Sequence, residues 1–270
     1  FVARPSKRHG TAALPADAVN NAIARTQQWL IDRQADDGHW VGELEGDSIL
    51  QSEYTLLLAW LATGDSPPEW SADRIRRMAR QLIAQQQPGG GWSRYPGGPL
   101  DVSASVKAYL ALKISGHASN TPWMTRAREA IRAAGGAERV NSFTRYYLAL
   151  LGILDYRQCP AVPPELLLVP RFCPLNIYEM SAWSRTIFVP LSLLWAFQPR
   201  IDTPEAWSID ELFLRERTTL TASMPLSEQL DQLSTPGRLD WHGIFTRLDA
   251  TWKRIEQWKL TPFRGMAIRK

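Results

Sequence analysis

Gln34-Ala-Asp-Asp-Gly38-His-Trp40 and Gln86-Gln-Pro-Gly-Gly90-Gly-Trp92 spell the same pattern, Gln-x3-Gly-x-Trp, 52 residues apart. Each copy ends an amphipathic stretch with a leucine–isoleucine pair whose Leu stands four residues before the Gln: Leu30-Ile31 and Leu82-Ile83. Each precedes a second helical stretch of similar length. The three fixed positions suit a helix that stops and turns back. Glycine opens backbone conformations closed to other residues, the Gln amide can satisfy groups orphaned at a helix end, and Trp offers a large flat face to the next helix, so the Trp40 and Trp92 rings are both expected to be buried against neighbouring helices. Two copies in register are the signature of stacked helix pairs. Arg126 to Gly136 reads as a third copy that has lost its Gln and Trp.

Outward from the repeats, helical periodicity dominates and no stretch alternates with period two. Helices are expected at 19–34, at 71–86 before Pro88 and three glycines, and at 122–133, 142–154, 178–198, 210–231 and 241–259. Another opens at a Ser48/Gln51 capping box with Leu50, Tyr54, Leu57, Leu58 and Leu61 on one face. One more starts at Asp101 or Ser103 and turns Val102, Val106, Tyr109 and Leu110 inward. Pro190 is expected to kink its helix. Cys159 to Pro174, with five prolines, reads as a long structured connection. The expected fold class is all-α.

At 270 residues, 44% apolar and 21% charged, the chain is an ordinary globular sequence rather than a disordered one. Two cysteines, Cys159 and Cys173, cannot make a disulfide scaffold and fit a reduced, intracellular protein. No run is long and apolar enough to span a bilayer, and no apolar region follows Arg4, Lys7 and Arg8 to make a signal peptide. Charge is uneven: residues 1–10 carry +3, residues 253–270 carry +5, and the other 242 sum to −4. Residues 1–18 read as a flexible basic segment. Solvated tails, or attraction to an anionic lipid surface, account for the basic ends; no basic stripe interleaved with aromatics points to nucleic acid. The sequence begins at Phe1 and reads as a piece of a longer protein.

The repeats resemble the QW motifs of the triterpene cyclases. Tyr95-Pro-Gly-Gly-Pro99 and Lys107-Ala-Tyr-Leu-Ala-Leu-Lys113 look like the squalene–hopene cyclase segment that follows its second N-terminal QW motif. Phe143-Thr-Arg145, Val162-Pro-Pro-Glu165, Pro174-Leu-Asn-Ile-Tyr-Glu179 and Ala182-Trp-Ser-Arg185 continue in that family's order and approximate spacing. The resemblance runs from Ala24 to Gln198 and resumes at Trp241 to Arg264. Pro174–Glu179 favours the bacterial squalene–hopene branch over the oxidosqualene cyclases.

The resemblance implies a fold of two α/α barrels, or toroids, the second inserted near the start of the first. Residues 19–40 would belong to the catalytic barrel, and 41–270 would form the inserted N-terminal barrel, incomplete here. It also implies a substrate, squalene or a similar linear isoprenoid, that folds between the barrels. An Asp-x-Asp-Asp motif would protonate its terminal alkene, and aromatic faces would stabilise the resulting cations. No cofactor or metal is implied. The chain contains no Asp-x-Asp-Asp, so it is expected to be inactive alone and to work with a C-terminal catalytic half. The competing reading is a non-catalytic helical-barrel binding or scaffold protein.

Residue by residue, the resemblance places Trp183 in the lining of the cyclisation cavity, against a plain core reading. Glu53 would join a polar, water-linked network at the cavity floor, or else be an exposed helix glutamate. Phe143 and Tyr147, four apart, would contribute aromatics near the pocket, Tyr147 standing where some relatives carry Trp. Lys107 and Asn141 stand where some carry Glu and Arg, so no ion-pair role transfers to them. His9, His39, His117 and His242 have no metal spacing, and the zinc set of the similarly shaped protein prenyltransferase β-subunits is missing. Trp241, Ile244, Phe245, Leu248, Trp252 and Ile255 form a helix stripe. It reads either as core or, with flanking Lys and Arg, as a monotopic contact on the cytoplasmic side of a membrane.

Overall fold

Both copies of the repeat close the end of a helix with the same hydrogen bonds. In the computed structural model, which describes residues 16–42, 46–62, 71–173, 176–217, 241–258 and 261–269, Gln34 Nε2 donates to the Gly38 carbonyl at 2.7 Å and Gln86 Nε2 to that of Gly90 at 2.8 Å. Trp40 Nε1 donates to the Leu30 carbonyl at 2.7 Å and Trp92 Nε1 to that of Leu82 at 2.8 Å. The glycines take φ of 90° and 99°, the left-handed region that costs a side chain but not glycine. The turns thus answer helix-end carbonyls with the repeat's own side chains.

The helices are α1 (Ala16–Ile31), α2 (Ser48–Ala62), α3 (Ser71–Ala84), α4 (Val102–Ile114), α5 (Pro122–Ala133), α6 (Ser142–Leu150), α7 (Ala182–Phe197), α8 (Trp241–Gln257) and α9 (Arg264–Arg269). Short 3-10 turns link several of them. Among the described residues no strand forms, only an isolated bridge between Ser93 and Leu100. The chain is all-α, as its periodicity indicates. It divides into two units, Phe1–Glu45 and Gly46–Lys270. The first, where described, is α1 and its turn.

In the second unit α4 is the axis. Asp101 caps it, its Oδ1 accepting the Ala104 N–H at 2.8 Å, and α2, α3 and α5 pack around it. Every residue from Ser103 to Leu112 is buried, more than the inward stripe expected from the pattern. Trp92 is 1% exposed, and its N–H donates to Ser105 Oγ on α4 at 2.9 Å. A second cluster joins Tyr146, Tyr156, Cys159, Val162 and Trp195, so the proline-rich connection is packed, with a 3-10 turn at Pro164–Leu168. Burial pushes the Cys159 thiol up to about 12, which makes it unreactive.

Four expectations need correction. Trp40 is 51% exposed, not buried like Trp92, because α1 and its turn hold nothing equivalent to α4 over its outer face. On α2 the buried face is Ser48, Ser52, Thr55, Leu56, Leu58 and Ala59, whereas Leu50, Leu57 and Leu61 are exposed. Small side chains let α2 lie close to α4, and that outweighs the leucine stripe. No capping box forms: Asp47 Oδ1 accepts the Ile49 N–H at 3.0 Å, while Ser48 Oγ and Gln51 Oε1 have no partner among the described residues. Residues 210–217 are not helical beyond the 3-10 turn Asp210–Leu212; the rest of the expected 210–231 helix lies outside the described residues.

That 3-10 turn has its own reason. Glu211 Oε1 accepts from Tyr109 at 2.8 Å, Lys113 at 2.7 Å and Ser119 at 3.1 Å, tying it to α4. Burial opposes its charge most strongly, but the bonds from Lys113 and Tyr109 outweigh that and hold the carboxyl below its ordinary value.

Two outcomes follow. Trp92→Ala should cost about 3–5 kcal/mol in urea unfolding followed by circular dichroism, while Trp40→Ala should cost under about 2 kcal/mol, since half the ring is in water already. Glu211 contributes stability that is present above the unfolded carboxyl range near about pH 4 and is lost as pH falls through its lower folded value. Glu211→Gln should therefore be the less stable protein at pH 7, with the gap closing at pH 3.

Candidate functional site

Lys107 sits mid-way along the enclosed α4 and is 3% exposed. An ammonium there needs an anion within reach. Glu53 on α2 supplies it, with Oε1 at 2.5 Å from Nζ. The second carboxylate oxygen accepts the hydroxyl of Tyr147, from α6, at 3.0 Å, and the Lys107 Nζ lies 5.8 Å from the centre of that ring. Burial, reinforced by the charge and hydrogen bond of Glu53, pushes the Tyr147 hydroxyl up to about 12, so it stays a neutral donor.

The helix carrying Tyr147 is fixed at both ends of its first turn. Asn141 caps α6, its Oδ1 accepting the Thr144 N–H at 2.9 Å, and its own N–H donates to Ser103 Oγ at 2.9 Å, binding α6 to α4. Arg145, buried, donates to the carbonyls of Gln158 at 3.0 Å and Glu138 at 3.2 Å. Phe143, one turn before Tyr147, is 48% exposed.

The structure therefore joins Glu53 and Tyr147, while Phe143 lies one turn earlier on α6. Trp183, at the second position of α7, is 74% exposed in this chain. Among the described residues no hydrogen bond, ion pair or ring contact links its side chain to the trio. Its helix is started by Ser181, whose Oγ accepts the Ser184 N–H at 3.1 Å. The preceding turn is built on Asn176: its Oδ1 accepts the N–H groups of Tyr178 and Glu179, and its Nδ2 donates to the Cys173 carbonyl at 2.6 Å. Gln34, Gly38, Trp40, Gln86, Gly90 and Trp92 hold the two turns described above.

Sequence reasoning missed Lys107 as the partner of Glu53. The available signal was a lysine in an otherwise apolar helix with alanines at Ala104, Ala108 and Ala111, a position that must be paired if the helix is interior. It also missed Asn176, whose place before a 3-10 turn marks an Asx cap. Among the described residues no three of His, Cys, Asp and Glu converge on one point. The arrangement can hold a fixed carboxylate, a buried cation and a phenol donor in one network. It offers no strong acid.

Breaking one partner of such a pair leaves an uncompensated charge. Glu53→Leu should cost about 3–5 kcal/mol, and Glu53→Leu/Lys107→Met should recover most of it. Urea-unfolding midpoints of the two single variants and the double variant measure this directly.

Comparison with known proteins matches residues 23–270 to the squalene-hopene cyclase N-terminal domain. The squalene–hopene cyclase of Bradyrhizobium diazoefficiens is 38% identical over 241 residues, 89% of this chain and 34% of that protein. The squalene–hopene cyclase of Zymomonas mobilis is 37% identical over 254 residues, 94% of this chain and 36% of its own. That of Alicyclobacillus acidocaldarius is 35% identical over 198 residues, 73% and 30%. The chain spans about a third of the length of these relatives. It belongs to the squalene–hopene cyclase family and corresponds to that family's N-terminal domain.

Proposed function

We propose that this chain is the N-terminal part of a cyclase that converts squalene, or a similar linear isoprenoid, into a hopene-type polycycle. The observation that carries this reading is the match over residues 23–270 to relatives named for that reaction. On this reading 19–40 serves the catalytic barrel, 41–270 serves the inserted barrel, and the proton donor comes from the C-terminal half. The chain's own task is to shape and line part of the cavity. Trp183 and Phe143, large aromatics left exposed in this chain, would face the hydrocarbon. Ring quadrupoles there would stabilise positive charge as it moves along the folded substrate. Glu53, Tyr147 and Lys107 would keep the polar end of that wall in one hydrogen-bonded arrangement.

Peripheral membrane contact on the cytoplasmic side belongs to the same proposal. No described helix is long and apolar enough to cross a membrane. On α8 and beyond, Leu248, Trp258, Phe263 and Met266 are exposed, as are Arg247 and Arg254, a mixture suited to an interface. The opposite side of α8 is occupied: Asp249 accepts the Ala161 N–H at 2.6 Å and pairs with Lys253 at 2.7 Å. Glu256 accepts from Trp195 at 3.1 Å and from Arg264, which also pairs with Glu165 at 2.7 Å. Of the expected stripe, Trp252 and Ile255 are half-buried and Leu248 is exposed; the side chains of Trp241, Ile244 and Phe245 lie outside the described residues.

The test exchanges the matched N-terminal segment of the Zymomonas mobilis relative for this chain and incubates the chimera with squalene in detergent, followed by mass spectrometry. The chimera should form a cyclised product, and the 270-residue chain alone should form none above a boiled control. Trp183→Ala in the chimera should lower conversion about tenfold, the effect of roughly 1.4 kcal/mol in the barrier. A folded chimera that makes no cyclised product would count for the scaffold reading.

A further inference from the structure

The α7 helix has two unlike faces. Phe188, Leu191, Leu194 and Trp195 pack into the second core cluster, and Ser192 beside them is buried. On the other side Trp183, Thr186, Pro190, Leu193 and Phe197, spaced by three and four residues, are all exposed. A proline thus stands in the middle of the exposed stripe, well inside the helix. It is the residue a helix interior accepts least, because it has no N–H to return to the carbonyl four residues earlier. Its exposure means that packing within the described residues does little to offset that loss.

The orphaned acceptor is the carbonyl of Thr186. A helical carbonyl points along the axis toward the residue four positions on, so this one opens onto the exposed stripe between Trp183 and Pro190. Among the described residues no group outside α7 donates to it. The Thr186 hydroxyl is engaged elsewhere, donating to the Trp183 carbonyl at 2.7 Å. The helix therefore shows the negative end of one main-chain dipole on a face otherwise made largely of Trp, Pro, Leu and Phe. At the helical rise that dipole lies about 5 Å along the axis from Trp183.

We propose that Pro190 holds the Thr186 carbonyl open as a cation-stabilising group of the cyclisation cavity, next to the Trp183 ring. The inference rests on the functional reading above and adds to it a main-chain group and the residue that positions it. A positive charge leaving the indole face meets the carbonyl oxygen next, and in a cavity without water a fixed dipole acts strongly on it. The chemistry of the group suits the intermediate. A carboxylate at the same place would take a proton from the cation and end the reaction, and a water molecule would add to it. An amide oxygen is far less basic, so it steadies the charge and leaves the carbon skeleton free to go on cyclising.

The experiment compares three forms of the Zymomonas mobilis chimera: with Pro190, with Pro190→Ala, and with lactic acid, the hydroxy-acid counterpart of alanine, placed at position 190 by nonsense suppression. Alanine restores the N–H that closes the Thr186 carbonyl. The ester made by lactic acid has no such hydrogen and leaves the carbonyl open without the proline ring. With squalene, Pro190→Ala should lower the fully cyclised product about tenfold and release hydrocarbons with fewer rings, while the lactic acid form should stay within about twofold of the Pro190 chimera. In urea unfolding of the 270-residue chain, Pro190→Ala should raise the midpoint, because it restores a missing helical bond. Stability gained with product lost is a result that a purely structural proline would not give. Equal losses in the alanine and lactic acid forms would overturn the proposal, since the ring would then matter and the carbonyl would not. So would a midpoint that fails to rise in Pro190→Ala, since the carbonyl would then be bonded already. A folded Pro190 chimera that makes no cyclised product overturns the functional reading itself; one that cyclises, with the same products after Pro190→Ala, overturns the part of the carbonyl alone.

Discussion

A tryptophan N–H donated to the carbonyl of a leucine ten residues earlier is the bond on which the architecture rests. It answers one orphaned acceptor at a helix end and lays the indole under the helix that it closes. With Trp92 fixed there, its backbone can engage Ser105, and Asp101 is in place to cap α4. The central helix thus takes its position from the preceding turn rather than from its own hydrophobic stripe. The Gln-to-Gly bond completes the turn at little cost because glycine alone accepts the backbone angle.

Much of this was legible in the residues. The repeat identified the two turns, and helix starts at Asp101 and Pro122 and stops near Pro88 follow from local chemistry that tertiary contacts do not override. The failures share a cause. The leucine face of α2 and the expected burial of Trp40 were inferred from side chains that look apolar, whereas burial depends on what lies opposite. Ser52, Thr55 and Ala59 face inward because a small surface permits close helix approach, and a pattern count favours the larger residues. Over residues 210–217 the helix expectation failed for a related reason: Glu211 binds three groups on or just after α4, a long-range arrangement with no local signature.

The candidate site was legible by half. Glu53 and Tyr147 were singled out and do share one network, but the lysine that completes it was set aside because it departs from the pattern of relatives. A buried charge is decided by its partner, and Glu53 and Lys107 are 54 positions apart in the chain. Trp183 and Phe143 stand exposed in this chain, which their spacing alone did not indicate.

The enclosure of α4 has a kinetic meaning. Its amides from Ser105 onward are bonded within the helix, and no side of it between Ser103 and Leu112 meets water. Fraying cannot reach its middle, and no neighbouring helix can detach without uncovering part of it. Deuterium should therefore enter this helix only when the whole Gly46–Lys270 unit opens, which makes α4 the natural gauge of that unit's global unfolding free energy, while α1 and its turn exchange on their own, faster clock.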